Sequence, residues 1–261
     1  MISFDQIILQ YPENLRPFRE SILKEYLQVK ILKSIFEQKF SEKLVFLGGT
    51  ALRIIHGNTR FSEDLDFDNF DPDEQAFINL GDYIKKDLEL EGLQVEITFV
   101  TKKAYRLKIR IPKLLFDLGL SPMTEQKILI QVDSEPQGFE YIPDRPILNK
   151  FEVFSQINAV PKELLLAQKI VTSVNRNRLM GRDFFDIVFL YGIGAKPDFN
   201  YLKSRAGVTN ETDLKAYLLD KTANLNFTHL AQDVEPLLFN PRDKNKVTLF
   251  REFIESLYST V

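Results

Sequence analysis

The stretch that most limits how this chain can fold runs from Phe46 to Asp68 and reads FLGGTALRIIHGNTRFSEDLDFD. Leu44-Val45-Phe46-Leu47 is a short apolar run stopped by Gly48-Gly49, which predicts a buried strand ending in a turn. Thr50 to His56 carries a helical pattern that Gly57-Asn58 ends, so His56 reads as a helix-end residue. From Asp64 to Asp68, acids alternate with Leu65 and Phe67. That period of two predicts a strand whose apolar side chains face a core and whose acids face away from it.

Side chains two apart on a strand point the same way, with Cα atoms about 6.5 Å apart. Asp64 and Asp66 therefore share a face, and Asp68 lies further along it. Two like charges held together repel, and a divalent cation removes that cost. Mg²⁺ takes oxygen ligands, commonly one or two carboxylates plus substrate phosphates. The glycine turn supplies the complementary half: Gly48 and Gly49 let a polyanion approach the backbone. The helix starting near Thr50 offers N–H groups and a positive dipole end, and Thr50 adds a hydroxyl. Alone, a Gly-Gly turn or an acidic strand face is most often structural. Their ordered combination predicts a site for a metal-bound triphosphate.

The segment Phe46–Asp68 resembles the signature of polymerase-beta-like nucleotidyltransferases, a Gly-Gly/Ser turn followed by Asp-x-Asp. Gly-Gly-Thr-Ala-Leu, with Arg60 and Ser62-Glu63-Asp64-Leu65-Asp66, is similar more specifically to the AbiEii toxins of type IV toxin–antitoxin and abortive-infection systems. The resemblance spans roughly Phe46 to Tyr191 and is strongest at its two ends.

Phosphoryl transfer of this kind wants a further carboxylate near the acceptor hydroxyl. Asp133 ends the apolar strand Ile128-Leu129-Ile130-Gln131-Val132, where a neighbouring strand could bring it beside Asp64 and Asp66. The resembling family places its third acid at such a strand end. A strand-terminating acid of no catalytic consequence is an equally open reading of Asp133 from spacing alone. Between Thr101 and Lys113 the chain holds six basic residues and no acid: Lys102, Lys103, Arg106, Lys108, Arg110 and Lys113. Arg106, Lys108 and Arg110 share one strand face. That face is either a solvated sheet surface or a contact for nucleic-acid phosphates.

Further along come Lys169, in Glu163–Lys169, and Arg182-Asp183-Phe184-Phe185-Asp186. Read without the family, Asp183 is a helix N-cap or first-turn acid and Lys169 a surface lysine. The resemblance implies more. Lys169 would contact nucleotide phosphates, assisted by Arg60, and Asp183 would be a further site acid with Asp186 nearby on the same helix face.

The chain has 261 residues, no cysteine and two histidines, which excludes disulfides, thiolate nucleophiles and Cys-ligated zinc. Its net charge of −3 argues against a uniformly basic nucleic-acid coat. The first residues lack a signal-peptide pattern and no run is long enough to span a membrane, so a cytoplasmic protein is the default expectation.

Periodicity predicts a helix over Arg16–Phe40 and another from Pro72 to about Glu91. Strands are predicted over Leu93–Val100, Tyr105–Ile111 and Lys127–Val132, then a loop or boundary over Pro136–Asn149. Helices follow over Pro161–Asn175, Arg182–Tyr191, Tyr201–Ala206, Glu211–Leu219 and Lys244–Tyr258. The expected fold is α+β: a nucleotidyltransferase-type mixed sheet with flanking helices, followed by a C-terminal helical domain. The expected segments are 1–43, 44–149 and 150–261.

Function is expected to be transfer of a nucleoside monophosphate from an NTP to an acceptor hydroxyl with release of pyrophosphate. Asp64, Asp66 and Asp133 would hold one or two Mg²⁺ ions. Gly48, Gly49, Thr50, Arg60 and Lys169 would bind the nucleotide. The resemblance implies an RNA acceptor, with the tRNA 3′ end foremost, and a cognate antitoxin protein. A protein or small-molecule acceptor, or a non-catalytic nucleotide-binding module, are the alternatives.

Overall fold

The computed structural model describes residues 2–71, 73–101 and 104–257. Pro72 as a helix start, Lys102 and Lys103 of the basic run, and Tyr258 as a helix end lie outside the described residues. The chain divides into two compact units, Met1–Gly57 with Phe61–Ala159, and Asn58–Arg60 with Val160–Val261. The N-terminal helical segment expected over 1–43 falls inside the first unit. The boundary expected at 149/150 lies within a hairpin of that unit.

In the first unit, α1 (Phe4–Leu9) and α2 (Arg19–Phe36) precede β1 (Leu44–Leu47), α3 (Gly48–His56), β2 (Leu65–Asn69) and α4 (Glu74–Leu90). Then come β3 (Glu96–Thr101), β4 (Tyr105–Ile111), α5 (Leu114–Asp117), β5 (Ile128–Pro136), β6 (Ile147–Lys150) and β7 (Val153–Gln156). Five strands form one sheet in the order β1-β2-β5-β4-β3, in which only β2 and β5 run parallel.

Leu65, Phe67, Leu107, Ile109, Ile130 and Val132 are buried on one face of this sheet, where α2 and α4 pack. Gly81 of α4 lets that helix close on the sheet, because a Cβ there would stand 3.2 Å from Leu107. The other face carries Asp66, Asp133, Arg106, Lys108 and Arg110. A one-residue slip of β2 would expose Leu65 and Phe67, each worth about 1.5–3 kcal/mol when buried, and would turn the acids into the core. The apolar face therefore fixes the register of the acids.

Several boundaries differ from the sequence expectation. The helix expected over Arg16–Phe40 is α2, and it is buried on nearly every side rather than along one stripe, with Glu25, Gln28 and Ser34 buried and hydrogen-bonded. α3 begins at Gly48 rather than Thr50, and Gly57, at φ 73°, closes it. Asp64 stands just before β2 instead of inside it. Asp73 caps α4 by accepting from the Ala76 N–H. The short α5 and the β6–β7 hairpin were not expected. The hairpin's turn uses Phe151 at φ 54°, with its ring 5.2 Å from that of Tyr26.

The second unit is helical: α6 (Lys162–Asn175), α7 (Gly181–Gly192), α8 (Phe199–Ala206), α9 (Glu211–Lys221), α10 (Phe227–Val234), α11 (Asn245–Thr248) and α12 (Phe250–Ser256). Phe184 sits at its centre, edge-on to Phe227 at 5.2 Å and to Phe250 at 4.9 Å. The helix expected over Lys244–Tyr258 is broken at Leu249 into α11 and α12. Residues 58–60 join this unit through the Phe239 N–H, which donates to Thr59 O at 3.1 Å. Among the described residues no helix is long and apolar enough to cross a membrane.

Candidate active site

β1 delivers the chain to Gly48, and its antiparallel register sets Leu47 opposite Asp66. Gly48 takes φ 81°, and a Cβ built there would stand 2.3 Å from Asp66 Oδ2. Glycine is required twice over, once for the backbone and once for the carboxylate pressed against it. No side chain caps the N-terminus of α3, so its first N–H groups are not consumed by a capping residue. Gly49 and Thr50 occupy that first turn and are buried. The Thr50 hydroxyl donates to Asp64 O at 2.5 Å. It thereby fixes the backbone of the acidic segment.

Gln28 of α2 grips the same segment, donating its amide to Ser62 O at 3.0 Å and Glu63 O at 2.8 Å. Gln131 of β5 donates to Asp64 Oδ1 at 3.2 Å. Asp68 accepts from the Tyr141 hydroxyl at 2.6 Å and from Gln137 at 3.2 Å, and it is buried. Sequence reasoning did not single out Gln28 or Gln131. A carboxamide partner remote along the chain leaves no local pattern to read.

Asp133 lies beside Asp66 in the parallel register of β2 and β5, so the two carboxylates stand on one sheet face. On the other side of Asp133, β4 sets Arg106 directly opposite. Arg106 grips both oxygens of Asp133, Nε to Oδ1 at 2.5 Å and Nη2 to Oδ2 at 2.7 Å. This hydrogen-bonded carboxylate raises the Arg106 pKa further. Among the described residues no three carboxylate or imidazole groups converge to hold a metal ion. The expected trio of Asp64, Asp66 and Asp133 is thus not a closed cage, and Arg106 occupies its third member. Asp64 and Asp66 carry carboxylate oxygens, the donor type a hard cation takes.

Arg60, Lys169 and Asp183, the other expected site residues, belong to the second unit. There Arg60, 1% exposed, meets Asp186 through Nε–Oδ1 at 2.8 Å and Nη2–Oδ2 at 2.6 Å. Lys169 Nζ lies 3.0 Å from Asp183 Oδ1 and 2.9 Å from Asp186 Oδ2. Arg176 pairs with Asp183 at 2.8 Å, and Asn58 donates to Asp186 at 2.9 Å. Burial alone would raise the Asp186 pKa, but Arg60 and Lys169 hold it at about 2. Asp183 is lowered despite its burial, chiefly by Lys169. Lys169 and Arg60 are raised, because the carboxylates outweigh the cost of burying them. The structure brings these three expected residues together as one buried ion network centred on Asp186.

The family model described as "Nucleotidyl transferase AbiEii toxin, Type IV TA system" matches residues 30–253. No match is found among curated proteins. Among solved structures, the fold is similar to MenT4, a nucleotidyltransferase toxin from Mycobacterium tuberculosis H37Rv. That match has a TM-score of 0.59 and 16% identity, over 99% of this chain and 91% of that one. It is also similar to JHP933 from Helicobacter pylori, with a TM-score of 0.53 and 17% identity over 90% and 91% of the two chains. With the glycine turn on Asp66 and Asp66 beside Asp133, the chain belongs to the AbiEii nucleotidyltransferase toxin family of type IV toxin–antitoxin systems.

Proposed function

We propose that this enzyme moves a nucleoside monophosphate from a Mg²⁺-bound NTP to a hydroxyl of RNA, the tRNA 3′ end being the acceptor. It acts as a toxin restrained by a cognate antitoxin. The observation that carries the catalytic part is the packing of Gly48 against Asp66, with Asp133 paired to Asp66 on the same sheet face. Mg²⁺ at Asp64 and Asp66 would supply charge neutralisation for the phosphates. Gly48, Gly49 and the open N-terminus of α3 would receive phosphate oxygens. Thr50, Gln28 and Gln131 act as positioning residues for the acidic segment.

Asp133 is the proton acceptor in this reading. The acceptor oxygen attacks the α-phosphorus as its proton passes to Asp133, the bridging oxygen between α- and β-phosphorus departs, and pyrophosphate leaves. That role requires one Asp133 oxygen to turn from Arg106 to the acceptor hydroxyl. Lys169, Arg60 and Asp183 contribute by keeping the second unit's helices in place around Asp186. The face of β4 bearing Lys108 and Arg110 supports a polyanionic acceptor.

The test incubates the protein and Mg²⁺ with each α-labelled NTP in turn, in total RNA and in protein extract. Label on RNA that is lost in Asp66→Asn, and RNA affinity that falls in Lys108→Ala/Arg110→Ala, is the expected result. Label on protein or on a small molecule overturns the RNA assignment. No label with any NTP overturns the transfer itself.

A further inference from the structure

In the first unit, Glu25 of α2 is 1% exposed and carries several partners at once. Arg53 of α3 reaches it through Nε–Oε2 at 2.8 Å and Nη2–Oε1 at 3.3 Å. The Tyr11 hydroxyl donates to Oε1 at 2.8 Å, and Lys150, the last residue of β6, pairs with the same oxygen. Glu25 therefore bridges Arg53 of α3 and Lys150 of β6. The charged groups acting on Lys150 are Glu25 and, in opposition, Arg53. Burial of the Lys150 ammonium outweighs the pull of Glu25 and lowers its pKa.

This cluster forms part of the wall of a pocket of about 400 Å³, lined by Gln10, Tyr11, Arg53, Asn149, Lys150 and Phe151. No acid lines it. That volume lies in the range of small-molecule sites and exceeds what a bare oxyanion fills. The ring centroids of Tyr11 and Phe151 both stand 5.3 Å from Lys150 Nζ, so the cationic wall has aromatic neighbours. Phe151 holds φ 54°, a costly conformation for a side chain of its size, and that turn sets Lys150 and Phe151 at the pocket. An ammonium and a guanidinium fork suit the several oxygens of a phosphate, and the carboxamides of Gln10 and Asn149 add donors.

We propose that this pocket binds the phosphate group of a phosphomonoester, with Lys150 and Arg53 as its charged anchors and the aromatic pair against the organic portion. The lining of the pocket includes none of the acids of β2, and the inference rests on no part of the transfer reaction proposed above.

The full chain would be titrated with inorganic phosphate and with ribose 5-phosphate, and followed by site-resolved amide NMR. Sodium chloride at matched ionic strength serves as the control. Saturable shifts at the Gln10 and Asn149 side-chain amides and the Phe151 N–H are expected, with ribose 5-phosphate binding more tightly than phosphate. Lys150→Met should weaken binding about tenfold or more. Because that change also strips a partner from buried Glu25, Asn149→Ala and Gln10→Ala, which leave Glu25 untouched, should each weaken binding too. Shifts that chloride reproduces, or binding unchanged in all three variants, would overturn the proposal. A 5′-phosphorylated trinucleotide compared with its 5′-hydroxyl form identifies the source. Preference for the phosphorylated form over ribose 5-phosphate assigns a nucleic-acid end, and the reverse order a free phosphomonoester. Either ranking supports the site.

Discussion

Gly48→Ala tests the glycine turn more sharply than any loss of an acid would. The added methyl would lie 2.3 Å from Asp66 Oδ2, whereas ordinary contact begins at 3.4 Å, so the carboxylate must retreat. The retreat is about 1 Å, a misplacement that can cost on the order of a hundredfold in rate. The backbone adds its own penalty, because alanine at φ 81° costs roughly 1–2 kcal/mol of stability. Transfer of label from an α-labelled NTP and urea unfolding, measured on the same preparations, separate the two effects. The variant should remain folded at assay temperature, lose about 1–2 kcal/mol of stability, and lose about a hundredfold in kcat. Activity within threefold of wild type, or a loss that merely tracks the unfolded fraction, would refute the close approach as a catalytic requirement.

Other outcomes follow from the same geometry. Arg60→Met leaves Asp186 buried without its bidentate partner and should destabilise the protein by about 3–5 kcal/mol, measured by chemical denaturation. Because the Asp186 pKa is depressed to about 2 in the folded chain, its contribution is complete above the ordinary carboxylate range and is lost as pH falls through about 2. Acid titration followed by circular dichroism should therefore show a stability loss of about 2 kcal/mol from this group between roughly pH 4 and pH 2, absent in Asp186→Asn if that variant folds. Gln28→Ala frees the backbone of Ser62 and Glu63. It should lower kcat by about tenfold or more while KM for the NTP moves less, as expected of a residue that positions without touching substrate.

The sequence carried the site's first half because its elements are local. An apolar strand, a glycine turn, a helix and an alternating acidic strand lie within one short stretch, and each has a period or a breaker that can be read directly. The neighbourhood of Asp133 was harder. Its place beside Asp66 depends on parallel pairing of β2 with β5, strands far apart in the chain. The bidentate hold of Arg106 depends on a further antiparallel pairing. Alternation of Arg106, Lys108 and Arg110 revealed a shared basic face without revealing that its first member faces an acid.

The β6–β7 hairpin escaped notice because its two-residue turn, Phe151-Glu152, lacks the Asn-Gly or Asp-Gly chemistry that signals such turns. Packing of Phe151 on Tyr26 stabilises a backbone that local preference disfavours. In the helical unit, Asp183 was recognisable as an acid at the helix start, with Asp186 close by on the same helix face. Their union with Lys169 and Arg60 required the tertiary fold, since Arg60 comes from a segment more than a hundred residues upstream. The helical reading of Lys244–Tyr258 did not reveal the break at Leu249, where φ −102° and ψ 21° depart from helical values.

Isothermal titration of an NTP into the protein, with Mg²⁺ and then with EDTA, probes most directly whether the acids of β2 are built to receive a cation-bound triphosphate. Wild type should bind the nucleotide only with the cation present, and folded Asp66→Asn should bind it at least tenfold more weakly. Equal affinity with and without Mg²⁺, or undiminished Mg²⁺-dependent binding by the variant, would contradict the account.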